Sequence, residues 1–154
     1  EDVKDVEKWE GPGFNFRFTD IQASIARVQL FRIEKKISHC SNVYSLYVDG
    51  LSSIERLRVI PVDLTAGEVP VYNEWLCPER DALISYLASQ GIECRPFYPN
   101  LNNAPYFEQE HVKFPNSRIF GQQGIYLPSG PDQPLNQVEK VINTIRLGDQ
   151  KNLW

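Results

Sequence analysis

The sequence predicts an α+β fold, a short antiparallel sheet with helices packed on it, preceded by one long helix. Three observations point there. Brief strand-like runs, bounded by Pro, Gly or Asn, occur at 57–62, 69–77, 92–98 and 125–127. Helix-period stretches occur at 20–45, 78–89, 114–120 and 136–147. Their order is long helix, strand, strand, helix, strand, small helix, strand, helix, which segregates strands and helices into layers.

Composition bounds the answer. A chain of 154 residues forms one ordinary domain and buries about two-thirds of the surface it exposes when unfolded. A net charge of -4 argues against nucleic-acid binding, which needs a basic face. No apolar run approaches the ~20 residues of a membrane-spanning helix. The opening EDVKDVEKWE has no signal-peptide character. Cys40, Cys77 and Cys94 are widely spaced without a CxxC pair. They predict free thiols in a reducing cytoplasm and no metal site. The sequence begins at Glu1 and holds no methionine, so it reads as trimmed, as lifted from a longer protein, or as written with its methionines omitted.

Residues 1–12 are charged and run into the turn Gly11-Pro12-Gly13; they read as a linker or frayed arm, with Trp9 as an anchor in the ordered alternative. The expected organisation is an arm and loop at 1–18, a long interdomain helix at 19–45, and a small α+β domain at 46–154. Thr19 with Gln22 forms a capping-box pattern, and Asp20 suits the positive helix terminus. Along that helix Ile21, Ile25 and Val28 form one stripe, while Ala26, Leu30, Ile33 and Ile37 form another. A shifting stripe predicts contact with two bodies; the alternative is a central helix buried on most sides of one domain.

Pro61 marks 57–62 as an edge or terminal strand. Residues 69–77 alternate around Tyr72, Asn73 and Trp75. Pro78 opens the next helix, and Gly91 is its left-handed terminator. A loop rich in Asn and Pro covers 100–107, Pro115 opens a short helix, and 121–124 close it. Asn136 with Glu139 begins the last helix, whose face is Val138, Val141, Ile142 and Ile145, and Gly148 stops it.

The densest signal is GFNFRFTDIQASIARVQL at 13–30, where Asn15 and Arg17 are held between three phenylalanines. Ordering and desolvating such heads costs free energy, so they point to a function. This run resembles the G-Y-N-Y-R-x-T-D-x-Q-A-A…Q-L segment of the DegT/DnrJ/StrS sugar aminotransferases. Further matches follow in order. Arg80-Asp81-Ala82-Leu83 and Gly91-Ile92…Arg95-Pro96-Phe97-Tyr98-Pro99 resemble R-D-x-L…G-I-x-x-R-x-x-Y-P. Asn103-Ala104-Pro105-Tyr106 falls where the family carries Q-P-x-Y, and Phe114-Pro115 through Leu127-Pro128-Ser129 resembles F-P-x-A/S…G-x-x-L-P. The resemblance covers about residues 11–146, and the RPFYP and LPSGP wording leans toward perosamine synthases.

The resemblance implies the small C-terminal domain of a fold-type I aminotransferase with its crossing helix. The family's enzymes are homodimers that use pyridoxal 5'-phosphate to transfer an amino group from glutamate to a nucleotide-linked ketosugar. The matching segment follows the lysine that forms the internal aldimine, and no lysine here occupies that context. No cofactor is therefore expected in this chain alone, which reads as a fragment with no catalytic residue of its own. Its expected partners are a second copy or the missing N-terminal domain.

The resemblance also implies site residues. Asn15 matches the asparagine that reaches the cofactor phosphate of the neighbouring subunit; Arg17 either supports that loop and an anion or pairs with a local carboxylate. Tyr98, Asn100 and Asn102 wall the nucleotide-sugar cleft, or belong to a proline-stiffened surface loop. Asn73 and Asn102 stand where many members carry histidine, which removes any proton role there. His39 and His111 read as solvated or helix-surface residues. Two alternatives differ in class from the inactive fragment: a free-standing, self-associating structural or binding module, and a split enzyme completed by a separate chain.

Overall fold

The computed structural model describes residues 14, 16–104 and 114–154. Asn15, the arm at 1–12 with Trp9, the second part of the 100–107 loop and His111 lie outside these residues. The chain divides into two compact units, Glu1–Ile33 and Glu34–Trp154.

The first unit holds α1 (Asp20–Leu30), which starts on the predicted capping box. The Gln22 backbone N–H donates to Thr19 Oγ1 at 3.3 Å, and the Thr19 N–H donates to Gln22 Oε1 at 2.9 Å. Two otherwise orphaned donors are thereby satisfied reciprocally. No side chain of α1 is buried.

The single helix expected over 19–45 is two helices. Phe31 and Arg32 form a turn before α2 (Ile33–Leu51). The Arg32 N–H reaches back only three residues, to the Gln29 carbonyl at 3.1 Å. A bond of that span tightens the last turn and interrupts the regular ladder. Neither Gly nor Pro marks the break in sequence, and α2 runs past residue 45 to Leu51.

In the second unit, α2 turns Cys40, Val43, Tyr44, Tyr47 and Leu51 inward at helical spacing. The sheet order is β1-β2-β4-β3 with every pair antiparallel. These strands are β1 (Arg58–Val59), β2 (Asn73–Leu76), β3 (Arg95–Pro96) and β4 (Gly124–Leu127). They are shorter than expected because proline lies within or beside the edge runs. Pro61 and Pro96 cannot donate to a ladder, and Pro70 is the centre of a tight turn in which the Val71 N–H bonds the Val69 carbonyl at 2.9 Å.

Register decides the two faces. Asn73 lies opposite Leu127 and Trp75 opposite Ile125, while Glu74 lies opposite Tyr126. The first set faces inward, and alternation sends Glu74 and Tyr126 outward. Against Trp75, Ile125 and Leu127 pack Val43, Tyr47 and Leu51 of α2 and Leu83 and Leu87 of α3 (Arg80–Ser89). Val138, Val141, Ile142 and Ile145 of α5 (Leu135–Gln150) complete this core. α4 (Pro115–Gln123), with Pro115 in its first turn as expected, leads into β4.

Gly91 terminates α3 as the sequence predicted, at φ +72°. The Gly91 N–H bonds the Ala88 carbonyl at 3.0 Å and the Ile92 N–H bonds the Leu87 carbonyl at 2.9 Å, a Schellman closure. Gly148 is different from expectation: it lies buried inside α5, not at its end. A Cβ there would come within 2.5 Å of the Tyr86 ring and 2.6 Å of Trp154 Nε1, so the glycine permits close packing. Asn152, at φ 51°, takes the left-handed position that closes α5. Asn136 does not cap this helix; Pro134 precedes it without a side-chain cap bond.

The end of the chain is tied into the second unit. Trp154 is buried, and the Arg56 guanidinium sits 4.0 Å from its ring centroid. Arg56 also donates to the Trp154 carbonyl and pairs with Asp149 at 2.7 Å.

Candidate functional site

A 3-10 turn at Leu101–Asn103 folds the Asn-rich loop against α4. It is closed by the Asn103 N–H on the Asn100 carbonyl at 2.9 Å and the Ala104 N–H on the Leu101 carbonyl at 3.0 Å. Between loop and helix lies an open cleft of about 280 Å³, lined by Pro99, Asn100, Asn102, Asn103, Arg118, Gly121 and Gln122. Ser117 Oγ donates to Asn102 Oδ1 at 3.3 Å, and Asn102 Nδ2 donates to Asn103 Oδ1 at 3.3 Å. Gly121 admits the Asn100 side chain: a Cβ there would lie 2.4 Å from Asn100 Oδ1. From α3, Arg80 braces this wall by donating to the Gly121 carbonyl at 2.6 Å and to Asp81 at 2.9 Å.

The cleft offers amides and one guanidinium, with neither a general acid–base pair nor a nucleophile. Such a lining can hydrogen-bond a polar or anionic group. Among the described residues no group of three His, Cys, Asp or Glu side chains is placed to hold a metal. All three cysteines are free thiols. Burial pushes Cys77 up to about 11 and Cys94 up to about 12, so neither is a ready thiolate near neutrality. His39 lies half-buried, its Nε2 donating to the Gln133 carbonyl at 2.8 Å.

The sequence-predicted site residues separate. Asn100 and Asn102 share the cleft, whereas Tyr98 is 71% exposed and meets Tyr126 edge-on at 6.2 Å. Asn73 is fully buried on the core face, and its amide N and O have no hydrogen-bond partner among the described residues. Strand register turns Asn73 inward with Trp75, away from the cleft that Asn100 and Asn102 share. Arg17 is exposed in the first unit. Arg118, Gly121 and Gln122 were not foreseen; Gly121 reads in sequence only as a helix terminator, and nothing local singles out Arg118.

A second pocket, of about 230 Å³, opens on the outer face of the sheet. Tyr72, Tyr126, Arg95 and Glu93 line it, together with Cys94, the 127–129 corner and Gln133. Tyr126 is the hub of an aromatic group. Its ring stacks on Phe97 at 4.5 Å and meets Tyr72 at 5.2 Å, and Phe97 continues to Phe120 of α4 at 6.3 Å. Desolvation, followed by Glu74, Tyr98 and Tyr72, raises the Tyr126 hydroxyl above its usual range, and Arg95 opposes them.

Helices packed on one antiparallel sheet, with two clefts at the surface, define an α+β domain. The chain belongs to the DegT/DnrJ/EryC1/StrS aminotransferase family, matched over residues 2–146. It is 28% identical over 145 residues to a GDP-perosamine synthase of Vibrio cholerae, covering 86% of this chain and 38% of that protein. A GDP-perosamine synthase of Caulobacter vibrioides is 30% identical over 137 residues, covering 84% and 37%. Among solved structures, DesV of S. venezuelae superposes with a TM-score of 0.82 at 24% identity, covering 91% of this chain and 39% of that one. E. coli GDP-4-keto-6-deoxy-D-mannose-3-dehydratase, solved with bound hydrated PLP, gives 0.74 at 21% identity, covering 90% and 38%. The chain thus spans about two-fifths of the length of the relatives it matches, and its fold is that of part of a PLP-dependent aminotransferase.

Proposed function

We propose that these 154 residues supply the C-terminal part of a PLP-dependent nucleotide-sugar aminotransferase and do not transaminate by themselves. The observation that carries this reading is the family match over 2–146 against only 37–38% of the perosamine synthases' length. The substrate class follows those relatives: a GDP-linked ketosugar. Transamination needs a Schiff-base lysine, and Lys35, Lys36, Lys140 and Lys151 line neither described cleft. The described residues therefore do not fit the whole cofactor. In this reading Asn15, with Arg17 beside it, reaches the cofactor phosphate of a neighbouring subunit. Asn100 and Asn102, with Tyr98 nearby, form a wall of the sugar-nucleotide cleft. The free thiols support a cytoplasmic setting.

Titrating the purified chain with pyridoxal 5'-phosphate tests the reading by absorbance. The expected result is no internal aldimine band; a stable band that borohydride fixes on one lysine overturns it. The second reading, a self-associating module, draws support from α1, where Ile21, Ile25 and Leu30 are exposed. Light scattering separates the two when performed with and without the family's large domain in trans. A module dimerises alone with unchanged mass, whereas a fragment takes up the large domain.

A further inference from the structure

Three unpaired polar atoms lie on the inward face of β2. Asn73 and Trp75, two residues apart, share that face opposite Leu127 and Ile125. Asn73 is 0% exposed and Trp75 1%, yet Asn73 Nδ2, Asn73 Oδ1 and Trp75 Nε1 have no hydrogen-bond partner among the described residues. An orphaned amide is among the costliest groups a core can hold, and native cores pair it with protein or ordered water. More polar groups gather at this end of the strand. Tyr47 of α2 is fully buried, and its Oη donates to the Pro128 carbonyl at 2.9 Å, which leaves its lone pairs to accept. Burial, and after it the nearby Cys94 thiol, push the Tyr47 hydroxyl up, so it stays protonated. Ser129 Oγ accepts the Asn73 main-chain N–H at 3.3 Å, which leaves its own proton to donate.

The mixture of donors and acceptors selects the guest. A cation would meet the N–H groups of Asn73 Nδ2 and Trp75 Nε1. An anion would meet the lone pairs of Asn73 Oδ1 and Tyr47 Oη. A molecule that both donates and accepts suits the set, and complete burial restricts it to the smallest such molecule. We propose that ordered water occupies the inner side of β2, held by the Asn73 amide with Tyr47 Oη and Trp75 Nε1 as further partners. Each water accepts from an N–H and donates to an oxygen, so every group of the set is paired. The pocket on the outer face of the sheet supplies the route of exchange. It reaches round the end of the sheet to Cys94, Pro128, Ser129 and Gln133, and the Gln133 carbonyl meets His39 of α2. Pro128 and Ser129 line that pocket and also bond Tyr47 and Asn73, so this corner joins solvent to the buried site.

Water–protein Overhauser spectra of the intact, nitrogen-15-labelled 154-residue chain test this. Cross-peaks with the sign of long-lived water are expected at the Asn73 side-chain NH2 and at the Trp75 indole N–H. Tyr47→Phe removes a hydroxyl that could relay exchange, and the Asn73 cross-peaks should survive it. Asn73→Leu fills the site with an apolar side chain of similar size, and the Trp75 cross-peak should then be lost. The assignment is overturned if the Asn73 amide shows no long-lived water in the parent chain. It is overturned equally if Tyr47→Phe abolishes the Asn73 cross-peaks, or if Asn73→Leu leaves the Trp75 cross-peak intact. Should Asn73→Leu fail to fold, the parent and Tyr47→Phe spectra decide the matter alone. None of these outcomes touches the nucleotide-sugar reading or the aldimine titration.

Discussion

α1 and α2 follow one another in sequence and both are amphipathic, yet their apolar residues meet opposite fates. α1 buries no side chain, with Ile21 at 75% and Ile25 at 59% exposure. α2 buries Cys40, Val43, Tyr44, Tyr47 and Leu51, and Val43, Tyr47 and Leu51 join the core formed with the sheet and α5. The local signals run the other way: α1 starts on a complete capping box, whereas the core contacts hold α2. A helix can therefore be defined by its ends or by its face. Eleven residues with a good cap form only a marginal helix in water, so the stability of α1 is local and small. That of α2 belongs to the cooperative core.

The sharpest way to break this contrast is truncation on each side of it. Trp75→Ala, which empties the most voluminous fully buried position, should cost about 3–5 kcal/mol in urea unfolding followed by circular dichroism. Ile25→Ala in α1 should change the same midpoint by no more than ~0.5 kcal/mol. Equal effects would mean that α1 unfolds with the core.

A smaller effect comes from pH. Burial pushes Cys77 up to about 11 and Cys94 up to about 12 in the folded chain, both above the ordinary thiol value of 9.0. Above pH 9 the unfolded chain binds fewer thiol protons than the native chain, so unfolding free energy falls with rising pH. This stabilisation is fully present below pH 9 and lost between about 9 and 12. Cys77 contributes of order 2 kcal/mol over that window. Alkaline melts of the parent and of Cys77→Ala measure it: the loss between pH 8 and 11 should be smaller in the variant, and an equal loss would sink the attribution.

The smallest effect belongs to the cap. Thr19→Ala should weaken α1 by about 1 kcal/mol. Amide exchange should quicken at Ala23 and its neighbours while the global urea midpoint holds. A shift in that midpoint would show that α1 and the core are coupled after all.

Legibility followed the same division. Periodicity and turn residues revealed the order and type of the elements, because Gly91, Pro115 and the β-rich runs act through local chemistry. The break at Phe31–Arg32 was hidden because ordinary helix-compatible residues form it. Gly148 was misread because a glycine near a helix end looks like a terminator; only its contacts with Tyr86 and Trp154 disclose the packing role. At the site, the loop asparagines stood out by composition, and Asn100, Asn102 and Asn103 all line one cleft. Arg118 and Gln122 reach that cleft through tertiary folding alone. The sequence setting of Asn73 did not reveal which face of the sheet it takes; the register against Leu127 turns it inward.

The outermost strands carry one more consequence. β1 and β3 are two residues long, Pro61 follows the first closely, and Pro96 lies within the second. Short, proline-marked margins offer a poor template for another chain's backbone. Edge-to-edge polymerisation, the common hazard of an open sheet, is thereby blunted at both borders. Any association of this unit with another chain is thereby left to side-chain surfaces instead of shared strands.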